Sequence, residues 1–185
     1  MQKDFVWATK EKFYLSPLGR LRNSRLPRLL RFQMRLVYGI KTFPVALPGL
    51  GYVSISTEAD PGNLELVAKS ILAELKKFIE EGPSEEEIAF SKRFLSSWWQ
   101  MSFDNPSEIA TWIISELMGL DERVFLPEDY IDLVRNWTQK EFHEVVSGYW
   151  DLEKIQITVQ GPFKDGKKMT TRMEKMLEES KIRSL

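Results

Sequence analysis

Four short stretches of the chain have the composition or the apolar–polar alternation of β-strands. Tyr52–Thr57 alternates with a period of two, which is typical of a half-buried strand. The β-prone run Leu36–Ile40 precedes it. Between them, Phe43–Gly49 is predicted to be a hairpin arm with a turn at Pro48-Gly49, and Tyr52–Thr57 is predicted to pair antiparallel with it. Ile155–Val159 also alternates and is predicted to be a strand, as is a short segment within Gln2–Thr9.

The helices are indicated by apolar residues spaced three and four positions apart. Pro27 has no amide hydrogen to donate, so it predicts the first turn of a helix rather than its interior. The clearest helix opens at Asp60-Pro61-Gly62-Asn63 and ends at Gly82-Pro83. Further helices are predicted after Asn105-Pro106-Ser107, where Gly119 ends the helix, after Pro127, and over Met169–Ser180.

Two capping boxes predict the starts of two more helices. Ser84 with Glu87, and Thr138 with Glu141, have the S/T-x-x-E spacing that satisfies exposed amides at a helix N-terminus. Strands and helices are therefore segregated along the chain rather than alternating, which predicts an α+β fold with a mainly antiparallel sheet covered on one side by helices. No repeat or linker interrupts residues 1–185, which are predicted to form one domain.

The composition is that of an ordinary globular protein. The chain has 185 residues, of which 43% are hydrophobic, and no apolar run reaches the roughly 20 residues of a membrane span. Its first twelve residues are too rich in charge for a signal peptide, so we expect a cytoplasmic protein that does not associate with membranes. There is no cysteine, which excludes disulfides and thiol chemistry.

The single histidine, His143, excludes a self-sufficient zinc site. His143-Glu144 begins like the zinc motif H-E-x-x-H, but Ser147 stands at the second histidine position. A catalytic zinc usually needs two or more His or Cys ligands. His143 could act as the base of a Ser–His–Asp triad, but no nucleophile elbow is present. We therefore predict no catalytic residue and no metal ligand in this chain, with His143 packing or capping locally within its helix.

Charge is unevenly distributed between the two ends. Residues 1–35 contain nine Lys or Arg and two Asp or Glu, whereas the chain as a whole has a net charge of −1. Arg25, Arg28, Arg31 and Arg35 could share one helical face. That face could pair with the acidic remainder of the same or a partner chain, contact phosphates, or bind the carbonyls or carboxylate of a peptide. The overall acidity argues against nucleic acid as a partner.

One stretch of the chain resembles a known family. It contains Ser24-Arg25-Leu26, a helix ending at Leu30-Arg31, and Tyr38, which stands at the start of a strand seven residues after Arg31. In these features it is similar to the C-terminal half-domain of the pitrilysin, insulinase and mitochondrial-processing-peptidase class. The helix–helix junction Glu81–Ile88 and the closing segment Ile155–Pro162 also match in order and spacing. The resemblance covers roughly residues 20–165.

The resemblance implies a processing-peptidase-like metallohydrolase fold, in which two homologous halves close like a clamp around an extended peptide. It implies that Arg31 and Tyr38 bind substrate, and that zinc is held by a partner half carrying H-x-x-E-H. The chain alone would then be inactive. The chain departs from the family pattern in three places. Leu18–Asn23 stands where the family usually has a glycine-rich turn, Arg35 occupies a position where glycine is common, and the N-terminal region is short relative to the family pattern.

Two other functions remain open from the sequence. The chain could be a structural or assembly subunit that keeps the same fold without peptidase function. It could also be a stand-alone domain whose arginines bind an anion.

Overall fold

The computed structural model describes residues 15–47, 50–102, 104–118 and 127–182. Two short π-helical segments, Ser16–Arg20 and Pro27–Gln33, precede strands β1 (Val37–Leu47) and β2 (Leu50–Ala59). The α-helices that follow are α1 (Leu64–Glu81), α2 (Glu85–Ser102), α3 (Pro106–Met118), α4 (Pro127–Asn136), α5 (Gln139–Tyr149) and α6 (Gly166–Ile182), with a 3₁₀ turn at Leu152–Lys154.

The predicted hairpin is confirmed. Strands β1 and β2 pair antiparallel, with a register that runs from Leu47 opposite Leu50 to Val37 opposite Ala59 and an irregularity between Val37 and Ile40. The predicted turn at residues 48–49, the predicted strand within Gln2–Thr9 and the predicted helix stop at Gly119 lie outside the described residues. The overall class is α+β, as predicted, with the hairpin packed against helices.

Pro27 lies in the first turn of a helix, as predicted, since the helical backbone begins at Arg25 and the Arg28 amide donates to the Ser24 carbonyl at 3.0 Å. From Pro27 to Gln33 the turns are wider than those of an α-helix. The Met34 amide donates to the Leu29 carbonyl at 2.8 Å, and the Leu36 amide donates to the Leu30 carbonyl at 2.8 Å. The loop before this helix is closed by Ser24, whose buried hydroxyl accepts from the Leu21 amide at 2.8 Å and donates to the Ser16 carbonyl.

Both predicted capping boxes are present. The Glu87 carboxylate accepts from the Ser84 amide at 2.8 Å, and the Ser84 hydroxyl accepts from the Glu87 amide at 3.2 Å. The same reciprocal bonds join Thr138 and Glu141 at the start of α5. Between α1 and α2, Gly82 has a φ of 68°, which is a left-handed conformation that glycine adopts without steric cost.

The main core gathers side chains from the π-helical segments, the hairpin and helices α1, α2, α4 and α5. Phe78 is fully buried at its centre and packs edge-on against Phe142, with ring centroids 6.0 Å apart, and against Trp150 at 5.7 Å. A second, smaller cluster joins α1 to α6 through Leu72, Met173 and Met176, so the predicted C-terminal amphipathic helix is confirmed.

Arg25 ties the N-terminal segment to the α1–α2 junction. Its Nε and one terminal nitrogen donate to the two carboxylate oxygens of Glu87, each at 2.8 Å, and the terminal nitrogen also donates to the Gly82 carbonyl at 2.9 Å. Glu74 lies 3.6 Å from the other terminal nitrogen, and the guanidinium sits 5.2 Å from the centre of the Phe78 ring. The Arg25 side chain is only 10% exposed.

Two predictions are wrong in detail. Ile155–Val159 alternates between half-buried and exposed side chains, but it forms no ladder with the hairpin, and the paired strands among the described residues are β1 and β2. Its apolar side chains pack instead against the cluster between α1 and α6, which satisfies the alternation without a strand partner. The arginines do not form one face, because Arg25 turns inward to Glu87 while Arg31 contacts Phe32 and Tyr38.

Within the part of the chain that the structure describes, none of the helices is long and apolar enough to cross a membrane.

Replacing Arg25 with Met is expected to lower the free energy of unfolding by about 2–3 kcal/mol, because it leaves Glu87 largely buried without its guanidinium. Urea denaturation measures this loss. Arg28→Met is the matched control, since Arg28 is exposed and its replacement should change stability by less than about 0.5 kcal/mol. Equal losses for the two variants would show that the Arg25–Glu87 pair is not a main support of the fold.

The stability of the protein should depend on the ionisation of Glu87. Burial raises the pKa of the Glu87 carboxyl, but hydrogen bonds from Arg25 and from the Ser84 amide outweigh burial, so the pKa lies below its ordinary value. Ionised Glu87 therefore stabilises the fold above the unfolded-state pKa of about 4.3, and this contribution is lost as the pH falls through the lower, folded-state pKa.

Denaturation at a series of pH values between about 7 and 3 measures this linkage. The wild-type chain should lose more stability on acidification than Glu87→Gln does, whereas the exposed neighbouring variant Glu86→Gln should follow the wild-type profile. Parallel profiles for wild type and Glu87→Gln would contradict the assignment.

Candidate functional site

Arg31 and Tyr38, which the sequence singled out, lie side by side. Arg31 is in the last turn of the Pro27–Gln33 helix and Tyr38 is the second residue of β1. The Arg31 guanidinium carbon is 5.0 Å from the centre of the Tyr38 ring and 5.2 Å from that of Phe32. Tyr38 is 87% exposed. The pair therefore presents a guanidinium stacked on an exposed phenol at the protein surface.

The chain between the two residues is held firmly at both ends. Leu30 is fully buried and Val37 nearly so, and both belong to the main core. Between them the Leu36 amide bonds to the Leu30 carbonyl, and Arg35 adopts a φ of 55°. This left-handed residue reverses the chain direction after the helix, so that the strand begins beside the last helical turn. The positions of Arg31 and Tyr38 therefore follow from rigid elements on either side.

The pair can donate hydrogen bonds but cannot supply a nucleophile by itself. A guanidinium offers several N–H donors in a fixed plane, suited to carbonyl or carboxylate oxygens. A phenol hydroxyl can donate to an oxyanion that develops during hydrolysis of a peptide bond. Cation–π attraction to Tyr38 and Phe32 restrains the Arg31 side chain. The arrangement therefore suits substrate binding rather than bond cleavage.

The described residues do not fit a zinc ion. No group of three or more His, Asp or Glu side chains in the described part of the chain is arranged to hold a metal. His143 lies on α5 with its Nε2 3.0 Å from the Ile79 carbonyl at the end of α1. Its ring also packs against Gly82, where an added Cβ would come within 3.2 Å of it. The predicted local packing role of His143 is confirmed.

The other arginines have separate surroundings. Arg22 lies over Phe32 at 5.3 Å, and Arg20 lies over Trp98 at 5.6 Å. Arg20 also lines a cavity of about 390 Å³ between the Ser16–Arg20 segment, β1 and α2. No motif in the sequence indicates this cavity. The lining residues are far apart in the sequence, and their only local signal is the spacing of Phe94 and Trp98 on one helical face.

Part of the chain is similar to a known protein family. Residues 13–95 match the model of the peptidase M16 inactive domain. No curated protein matches the sequence.

Solved structures share the fold. A conserved protein from Enterococcus faecalis V583 superposes with a TM-score of 0.63 at 21% identity, over 76% of this chain and 32% of that one. The inactive peptidase domain of a protein assigned as a zinc protease in Bordetella parapertussis gives 0.63 at 18%, over 76% of each chain. A peptidase M16 inactive domain from Pseudomonas fluorescens gives 0.66 at 15%, over 81% and 35%. The chain thus spans about a third of the Enterococcus and Pseudomonas proteins.

Replacing Arg35 with Gly should raise the free energy of unfolding by about 1 kcal/mol, because a non-glycine residue in the left-handed region carries a steric cost that glycine lacks. Thermal or urea unfolding measures the gain. Arg28→Gly, on an exposed helical residue, should instead destabilise by up to about 1 kcal/mol. A loss of stability in Arg35→Gly would show that its side chain contributes more than the backbone conformation costs.

Proposed function

We propose that this chain is the non-catalytic half of a zinc protease, and that it binds peptide substrate through Arg31 and Tyr38 for a partner half that carries H-x-x-E-H. The match of residues 13–95 to the peptidase M16 inactive domain supports the first part of this proposal. The similar structure from Bordetella parapertussis is the inactive peptidase domain of a protein assigned as a zinc protease. For this chain, the partner half and the peptide substrate are parts of the proposal.

The observation that carries the proposal is the contact between Arg31 and Tyr38. The two residues lie on different elements, yet the guanidinium and the phenol ring are only 5.0 Å apart. Tyr38 is almost fully exposed, although aromatic side chains usually bury much of their surface in the core or in an interface. A half-buried guanidinium beside an exposed phenol, held between anchored elements, is suited to a ligand with backbone carbonyls or a developing oxyanion.

The division of chemistry between two halves follows from the residues. Arginine and tyrosine can orient a peptide and stabilise negative charge, but activation of water at neutral pH requires a metal ion. When bound in the partner half, zinc would supply the nucleophilic water. In this chain, Arg31 would orient the peptide, and the Tyr38 hydroxyl would donate a hydrogen bond to the carbonyl oxygen of the scissile peptide bond.

The first test is the identity and metal content of the complex. The affinity-tagged 185-residue chain is purified from its native cells, its partners are identified by mass spectrometry, and zinc is measured by elemental analysis. We expect a partner with H-x-x-E-H, about one zinc per complex, and cleavage of fluorogenic peptides by the complex but not by this chain. A stable complex that lacks that motif and cleaves no peptide would instead indicate a structural or assembly subunit.

The second test addresses Arg31 and Tyr38 in the reconstituted complex. Tyr38→Phe should lower kcat/KM for peptide cleavage by about 100-fold, because it removes one oxyanion donor and keeps the ring beneath Arg31. Arg31→Gln should mainly raise KM, because it removes the charged donor that orients the peptide.

Matched controls are available nearby. Tyr52→Phe also removes one phenol hydroxyl, from the half-exposed Tyr52 on β2. Arg28→Gln removes an exposed charge from the same helix as Arg31. Both should leave kcat/KM within about twofold of the wild-type value. Wild-type kinetics in Tyr38→Phe and Arg31→Gln, with an active complex, would refute the substrate-binding role of the pair.

A further inference from the structure

The cavity beside Arg20 has the features of a second binding site. It lies between the Ser16–Arg20 segment, strand β1 and helix α2, and its volume of about 390 Å³ is at the lower end of the range for small-molecule sites. The residues lining it are Gly19, Arg20, Ile40, Lys41, Thr42, Phe43, Phe94 and Trp98. None of them belongs to the Arg31–Tyr38 pair.

Arg20 is a partly buried cation whose charge is not balanced by a carboxylate among the described residues. Burial lowers the pKa of its guanidinium, and no hydrogen-bonded acid raises it again, in contrast to Arg25 beside Glu87. The guanidinium is held 5.6 Å from the centre of the Trp98 ring. Removing a guanidinium from water without an anionic partner is unfavourable, so an anion bound beside it would be stabilised.

Thr42 provides a second unsatisfied group in the same cavity. The residue is 5% exposed, and its buried hydroxyl has no hydrogen-bond partner among the described residues. Close packing against Gly19 holds this side chain in place, because a Cβ at Gly19 would overlap the Thr42 methyl group. Buried polar groups normally have partners. Thr42 and Arg20 both line this cavity, so an oxygen-bearing anion bound there would have a hydroxyl and a guanidinium as donors.

The remaining walls favour a ligand with an apolar part. Phe43 and Phe94 are partly exposed aromatic residues, Trp98 lies beneath Arg20, and Ile40 adds an aliphatic surface. The second cation, Lys41, is exposed and hydrated. One partly buried positive charge matches a single negative charge better than the two charges of a phosphate, and a guanidinium fork fits the two oxygens of a carboxylate.

We propose that this cavity binds the free carboxylate of an apolar carboxylic acid, such as the C-terminal residue of a peptide, with Arg20 and Thr42 on the carboxylate and the aromatic residues around the apolar group. This site is separate from the substrate-binding role proposed for Arg31 and Tyr38, because different residues form it and it does not require a zinc-bearing partner.

The test uses the full 185-residue chain and a matched pair of probes. Isothermal titration calorimetry compares N-acetyl-L-phenylalanine, which is a monoanion at pH 7, with its neutral amide. We expect the carboxylate to bind at least about tenfold more tightly than the amide, since charge-assisted hydrogen bonds are lost in the amide. NMR shifts of the Thr42 amide and the Trp98 indole on titration should place the ligand in the cavity. Short peptides with free and amidated C-termini then distinguish a peptide end from a free acid.

Variants separate this site from its surroundings. Arg20→Gln should abolish the preference for the carboxylate, Arg20→Lys should retain part of it, and Thr42→Val should weaken binding about three- to tenfold. Arg22→Gln, which removes an exposed arginine outside the cavity, and Tyr38→Phe should both bind as wild type does. If Arg20→Gln does not fold, the proposal is still tested by Thr42→Val and by the comparison of the carboxylate with its amide on the wild-type chain.

Several results would overturn the proposal. Equal affinity for acid and amide, absence of binding at millimolar probe, or tighter binding of inorganic phosphate than of the carboxylate would each exclude an apolar carboxylate as the ligand. Loss of carboxylate binding in Tyr38→Phe with retention in Arg20→Gln would assign the binding to the Arg31–Tyr38 pair instead.

Discussion

The ion pair between Arg25 and Glu87 is the interaction on which the rest of the structure depends. It joins the segment before the first long helix to the C-terminus of α1 and to the N-terminal cap of α2, because Glu87 accepts from both Arg25 and the Ser84 amide. Arg25 also bonds the Gly82 carbonyl at the end of α1 and lies over Phe78 in the core. A single largely buried guanidinium therefore holds together parts of the chain that are more than fifty residues apart.

This junction fixes the frame from which the candidate sites project. The Pro27–Gln33 helix starts immediately after Arg25 and Leu26, and the left-handed Arg35 directs the chain from that helix into β1. Arg31 and Tyr38 meet because both ends of this turn are anchored in the core. The same strand continues into the cavity beside Arg20, so one segment positions both the Arg31–Tyr38 pair and the Arg20 cavity. The fold is shared with inactive M16 peptidase domains at low sequence identity.

Secondary-structure elements that depend on neighbouring residues were predicted from the sequence. The hairpin, the helix from Pro27, both capping boxes and the C-terminal amphipathic helix were predicted because each depends on residues close together in sequence. Ile155–Val159 shows the limit of that reasoning. The alternation of apolar and polar residues in this segment shows only that one of its sides is buried. Pairing into a sheet also needs a neighbouring strand with a free edge, and the local pattern does not indicate whether one is present.

The sequence by itself determined that this chain has a single histidine and no cysteine, and that its class is α+β. Residue types and short spacings are enough for these conclusions. Only the tertiary structure decided which arginine is buried in an ion pair and which lies against an exposed ring. Arg25 and Arg31 look alike in sequence, but one meets Glu87 from a distant helix and the other meets an exposed Tyr38. Charge pairing and burial depend on contacts across the fold, so they could not be read from the local pattern.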